Sequence, residues 1–114
     1  MSNADTRQAI ATALAAVAGV TGYTSTPSAP AVGDGWPQWR GADRAGGQAF
    51  TNNWDILIVL PQNDEVTADA YADARLEALA DALRPVVFVD SAVPAQIPDA
   101  SGPLYALLIT GHSE

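Results

Sequence analysis

The run WDILIVL, Trp54 to Leu60, constrains what this chain can fold into more than any other stretch. Side chains of an extended segment alternate between faces, so Trp54, Ile56, Ile58 and Leu60 share one side. Asn53 and Asp55 open the other side, and Leu57 and Val59 continue it. From Ile56 onward the segment is apolar on both faces. The strand expected over Phe50–Leu60 therefore starts half exposed and ends buried on both sides. That is the pattern of a central strand whose first residues emerge from the core.

The remaining elements are read around this strand. In residues 5–18, Ile10, Leu14 and Val17 fall at i, i+4 and i+7, which predicts a helix with a narrow apolar stripe. Asn3 or Asp5 is the expected cap, and Gly19 the expected stop. Residues 20–26 read as a short strand. Residues 36–40 read as a second one, placed at an edge because Pro37 cannot donate a ladder hydrogen bond. GADRAGGQA, residues 41–49, reads as a flexible loop.

Residues 67–84 read as a second helix, with Thr67 as N-cap and Asp69 in the first turn. Ala72, Leu76, Leu79 and Leu83, joined by Tyr71, form its expected inner face, and Pro85 ends it. A strand over 86–93, a proline-rich connection over 94–103 and a last strand over 104–110 complete the order α-β-β-β-α-β-β. The expected fold is α+β, a two-layer sandwich in which a mixed β-sheet carries both helices on one face. A chain of 114 residues suits one domain, 1–114, burying roughly two thirds of its unfolded surface.

Composition narrows the function. Thirteen acids against five arginines, with no lysine, give a formal net charge of −8. Such a surface does not attract a phosphate backbone, so nucleic-acid binding by a basic face is not expected. The absence of cysteine removes disulfides and thiolate metal sites. No signal-peptide pattern is expected at the start of the chain, and no apolar run approaches the ~18 residues that span a membrane.

Catalytic constellations are not apparent. His112 is the only histidine and lies near the end of the sequence, where fraying is expected. Ser91 and Ser101 lack the sharp-turn context of a nucleophile, and without lysine there is no phosphate-binding loop. No catalytic residue, cofactor or metal site is assigned.

Two other groups stand out. Asp69, Asp73, Glu77 and Asp81 recur every four residues on the second helix, forming an acidic stripe. It reads as a solvated face, or as one that repels DNA or pairs with a neighbour's arginines, and Arg75 and Arg84 are placed to offset part of it. Trp36, Trp39, Arg40 and Arg44 cluster beside the glycine-rich stretch. If 36–40 is extended, Trp36 and Trp39 point to opposite faces, so only one packs inward. An exposed tryptophan beside an arginine has the composition of an interaction hot spot.

The order of these features resembles the tail terminator proteins of long-tailed phages. The likeness is carried by AVAGVTGY after the first helix, GDGWPQW, the long NNWDILIVLPQNDEVTADAYADARLEALADAL run, and the closing VVFV and YALLIT strands. It spans nearly the whole chain and rests on order, length and texture. The resemblance implies a non-catalytic virion protein, assembled in the host cytoplasm, that forms a homohexameric ring at the head-proximal end of the tail tube. Such a ring stops tube polymerisation and offers a surface to the head's connector or completion protein. DNA passes through its channel without specific binding.

On that reading Trp36, Trp39, Arg40 and Arg44 are candidates for the subunit or tube interface. Asp69, Asp73, Glu77 and Asp81 are candidates for the channel or a partner face. Another head–tail connector or head-completion protein is the nearest alternative. A small acidic metal-dependent enzyme and a binding module that forms no ring are further ones.

Overall fold

A computed structural model describes residues 2–45, 49–99 and 102–113. Its elements are α1 (Asn3–Ala15), β1 (Thr21–Gly22), β2 (Asp34–Ala45), β3 (Ala49–Val59), α2 (Glu65–Leu83), β4 (Phe88–Ile97) and β5 (Leu104–Ser113). The fold is α+β in the order α-β-β-β-α-β-β, with a five-stranded mixed sheet ordered β1-β2-β3-β5-β4. β1 and β2 run parallel, and the other neighbours are antiparallel.

β3 occupies the middle of the sheet, and its burial rises from exposed at Ala49 to fully buried beyond Trp54, as the residue pattern requires. Trp54, Ile56, Ile58 and Leu60 join Leu107 and Ile109 of β5 in one core. Ile10, Leu14 and Val17 of the first helical segment, and Ala68, Leu79 and Leu83 of α2, pack on that same side. Both helices therefore cover one face. The opposite face holds a second, smaller cluster of Trp36, Leu57, Val59 and Ala106, with Ile97 and Leu108 against it.

Several boundaries move, each for a local reason. Ser2, not Asn3 or Asp5, caps α1: its hydroxyl accepts from the Asp5 N–H at 3.1 Å. Asp64, not Thr67, caps α2. Its carboxylate accepts the Thr67 N–H at 2.7 Å and the Thr67 hydroxyl at 2.9 Å, so Thr67 is the cap's partner in the first turn. Those hydrogen bonds, the backbone one foremost, hold the Asp64 carboxyl below its ordinary value. Leu76 leaves the inner face expected for it. It is 38% exposed, on the flank between the buried row and the acidic one.

The strand expected over 20–26 shrinks to Thr21–Gly22. At Gly22 the sheet meets the backbone of α1, and a Cβ there would lie 2.0 Å from the Ala11 carbonyl oxygen. No strand pairs with Pro37 on its outer side, because β1 reaches only Asp34 and Gly35, but that edge is covered: Pro37 is buried and its carbonyl accepts from Arg7 at 3.2 Å.

The largest revision concerns 41–49, expected as a loop. Residues 41–45 continue β2, paired with 49–53 of β3, and positions 46–48 lie outside the described residues. A bulge between Trp39 and Gly41 admits Arg40 as an extra residue, and Gly41 takes a positive φ of 112° there. Similarly, β4 runs to Ile97 through Pro94, which an edge strand tolerates. β5 runs to Ser113, so His112 is a ladder residue opposite Phe88.

Candidate assembly surface

β2 and β3 extend past the rest of the sheet. The last described residue of β5, Ser113, pairs with Asn52. Beyond it the pairs Asp43–Thr51, Arg44–Phe50 and Ala45–Ala49 have no third strand among the described residues. This two-stranded ribbon, residues 43–45 and 49–51, is an arm. Isolated two-stranded ribbons are marginal in water, and this one is anchored by the sheet at its base.

The arm's side chains are sorted by register. Trp39 lies opposite Trp54, and Arg44 opposite Phe50, so all four fall on the helix-bearing side. Trp54 is buried there, its indole N–H donating to the Ser113 hydroxyl at 3.0 Å and the Arg7 guanidinium 5.6 Å from its ring. Farther out, Trp39 is 44% exposed and Phe50 52%. The Trp39 N–H donates to the Asn52 side-chain carbonyl at 3.1 Å, which orients its ring without covering it. The Arg44 guanidinium stacks 4.5 Å from the Phe50 ring. The arm thus offers two aromatic rings and a cation on one side.

The other two members of the tryptophan–arginine cluster do different work. Trp36 is the tryptophan that packs inward: only 1% exposed, it anchors the smaller cluster and is withdrawn from the contact candidates. Its indole N–H has no hydrogen-bond partner among the described residues, so packing against that cluster is what holds the ring. Arg40, at the bulge, reaches back to Asp55 at 2.6 Å. The Asp55 side chain is only 10% exposed, so this guanidinium compensates a carboxylate the fold has nearly buried. Arg40 is half committed to the fold before it contacts anything else.

The acidic stripe is a solvated face: Asp69, Asp73, Glu77 and Asp81 are all exposed. Arg84 pairs with Asp81 at 2.5 Å. Arg75 turns away from the stripe, its guanidinium 3.6 Å from the Tyr71 ring and donating to the Tyr71 carbonyl.

His112 and Asp90 face each other across β5 and β4, with Nδ1 and Oδ2 3.0 Å apart, and the imidazole stacks on Phe88. Ser91 and Thr110 share a hydroxyl hydrogen bond beside them. No group of three metal-ligating side chains occurs among the described residues. Phe50 and Phe88, 52% and 68% exposed, are surface aromatics that sequence reasoning passed over. Phe50 shares the parity of Trp54 and so reads as core until the ends of the neighbouring strands are known.

Comparison with protein-family models finds none that matches this chain, and a search of curated proteins finds no match.

Proposed function

We propose that this chain is a structural virion protein that forms a ring on the head-proximal end of a phage tail tube. The ring ends tube growth and presents the surface to which the head joins. The observation that carries the reading is the arm: a ribbon extending beyond a complete core, with Trp39, Phe50 and Arg44 turned to solvent. On a surface with a net charge of −8, two exposed rings with an arginine on the same side have the composition of a contact site.

In this reading the arm engages a neighbouring subunit or the tube, and the ring is a homohexamer. The exposed acids of α2 face the channel or a partner, and DNA passes without being gripped. The partners are further copies of the chain, the tail tube protein and the head's connector or completion protein. The same arm would serve another head–tail connector, and tail length separates the two. Tube protein polymerised with the chain present should give tails of one length, and without it a broad distribution running to long tubes. Tube lengths unaffected by the chain would move it to another neck position.

A further inference from the structure

The arginines of this chain are unevenly placed. Arg40 and Arg44 lie in the outer part of β2, Arg84 caps the end of α2 near His112 and Ser113, and Arg7 lies over Trp54. Arg75 turns to the α1 side of α2, where its guanidinium rests on Tyr71 beside Gly19. The corner between the first turns of α2 and the β4–β5 hairpin is left with acids alone: Asp64, Glu65, Asp69 and, past β4, Asp99.

A pocket of about 300 Å³ opens in that corner. Leu60 and Ala68, both buried, give it an apolar floor, and Pro94 and Tyr105 line its sides. Glu65 and Asp69, one helical turn apart, line it from α2. Both are exposed, and neither forms an ion pair among the described residues. No arginine, lysine or histidine lines the pocket among the described residues. The helix N-terminus favours a carboxylate in the first turn, which accounts for Glu65, but Asp69 lies beyond that turn. Tyr105 is 39% exposed, and Gln62 clamps its backbone: Oε1 accepts the Tyr105 N–H at 2.8 Å and Nε2 donates to the Tyr105 carbonyl at 3.0 Å.

An apolar floor, an aromatic ring and two carboxylates without a cation are the complement of one side chain. An arginine lays its methylene stem on apolar surface, stacks its guanidinium on an aromatic ring and donates in a fork to carboxylates. We propose that this pocket receives an arginine side chain of a partner protein, its guanidinium held by the Glu65 and Asp69 carboxylates and the Tyr105 ring. A lysine fits less well, because its ammonium is a compact, strongly hydrated charge without the fork. The pocket lies at the opposite end of the strands from the arm: the Leu60 N–H bonds the Tyr105 carbonyl there, while the arm leaves the sheet beyond the Asn52–Ser113 pair. On the tail-end reading, from which only the expectation of a second protein is taken, the chain has a contact at each end.

Backbone amide shifts of the isotope-labelled chain, titrated with a short end-capped peptide carrying one arginine, test it. The amides of Ala68, Asp69, Gln96 and Tyr105 should move together and saturate. The same peptide with citrulline, which keeps the shape and loses the charge, should leave them in place, and a lysine peptide should bind more weakly than the arginine one. Glu65→Gln with Asp69→Asn should weaken the arginine peptide by on the order of tenfold, the scale of a lost charge-assisted hydrogen bond. Both residues are exposed, so the fold is spared. Asp73→Asn with Glu77→Gln removes the same charge from the same helix outside the pocket and should leave the affinity nearly unchanged.

No saturable shift in the pocket overturns the proposal. So does a citrulline or lysine peptide that binds as well as the arginine one, or an equal loss in the two double variants, which would reduce the attraction to overall charge. Self-association of the unaltered chain that Glu65→Gln with Asp69→Asn abolishes would put a second copy's arginine in the pocket and overturn the assignment to another protein. A chain that fixes tail length while its pocket ignores the arginine peptide loses this inference and keeps the tail-end function. A chain that binds the peptide and leaves tube length unchanged does the reverse.

Discussion

The two halves of the β2–β3 hairpin share one register but have opposite fates. In the inner half, Gly35, Trp36 and Pro37 pair with Ile58, Leu57 and Ile56, and all six are buried. In the outer half, Asp43 and Arg44 pair with Thr51 and Phe50, with no third strand beside them among the described residues. Trp36 and Trp39 show the contrast within one strand, at 1% and 44% exposure. The same residue type stabilises the fold at one position and is left available for contact three residues later. What differs is how far the neighbouring strands and helices extend.

Substitutions sharpen that contrast in order of size. Trp36→Ala should cost about 3–5 kcal/mol, the range for emptying a buried aromatic site. Trp36→Phe should cost well under that, since no acceptor among the described residues loses a hydrogen bond. Chemical denaturation measures both, and a Phe variant as unstable as the Ala variant would show that the indole N–H matters after all. Arg40→Ala should come next, at about 1–3 kcal/mol, because it leaves the Asp55 carboxylate nearly buried and unpaired. The double variant with Asp55→Asn should recover part of that loss.

Arm substitutions should scarcely register in stability. Trp39→Ala and Phe50→Ala are expected to change unfolding free energy by about 0.5 kcal/mol, the scale of surface sites. A loss as large as that of Trp36→Ala would make the arm part of the core and break the contrast.

The smallest effect lies outside the hairpin, at the α2 cap. The folded-state carboxyl of Asp64 is held below its ordinary 3.8. Its contribution is therefore present above that value and is lost as pH falls through the lowered one. Asp64→Ala should melt slightly below the unaltered chain at neutral pH, and the gap should shrink on acidification. A gap that widens in acid would reverse the sign.

Much of this was legible in the chain itself. The alternation in WDILIVL placed the central strand and its two burial regimes. The parity of Trp36 and Trp39 put them on opposite faces, so that only one packs inward. The direction of burial was harder to read, because Trp36 packs on the face away from the helices, against Leu57 and Val59 of β3. The arm was hidden in GADRAGGQA. Glycine, alanine and aspartate are poor strand formers, and here the ladder to residues 49–53 supplies what local preference lacks. Helix ends misled by two or three residues, since Ser2 and Asp64 look no different in sequence from nearby polar residues. His112 was expected to fray, and its pairing with Asp90 depends on a bulge between Val89 and Ser91 that no local pattern announces.

Amide hydrogen exchange tests the central claim most directly, in dilute samples and under conditions where copies assemble. The inner amides of Ile56–Val59 should be strongly protected in both, while those of Asp43, Arg44, Phe50 and Thr51 should exchange quickly when dilute and slow on assembly. An arm already as protected as the inner half in dilute solution, or one whose exchange is indifferent to assembly, would contradict the account.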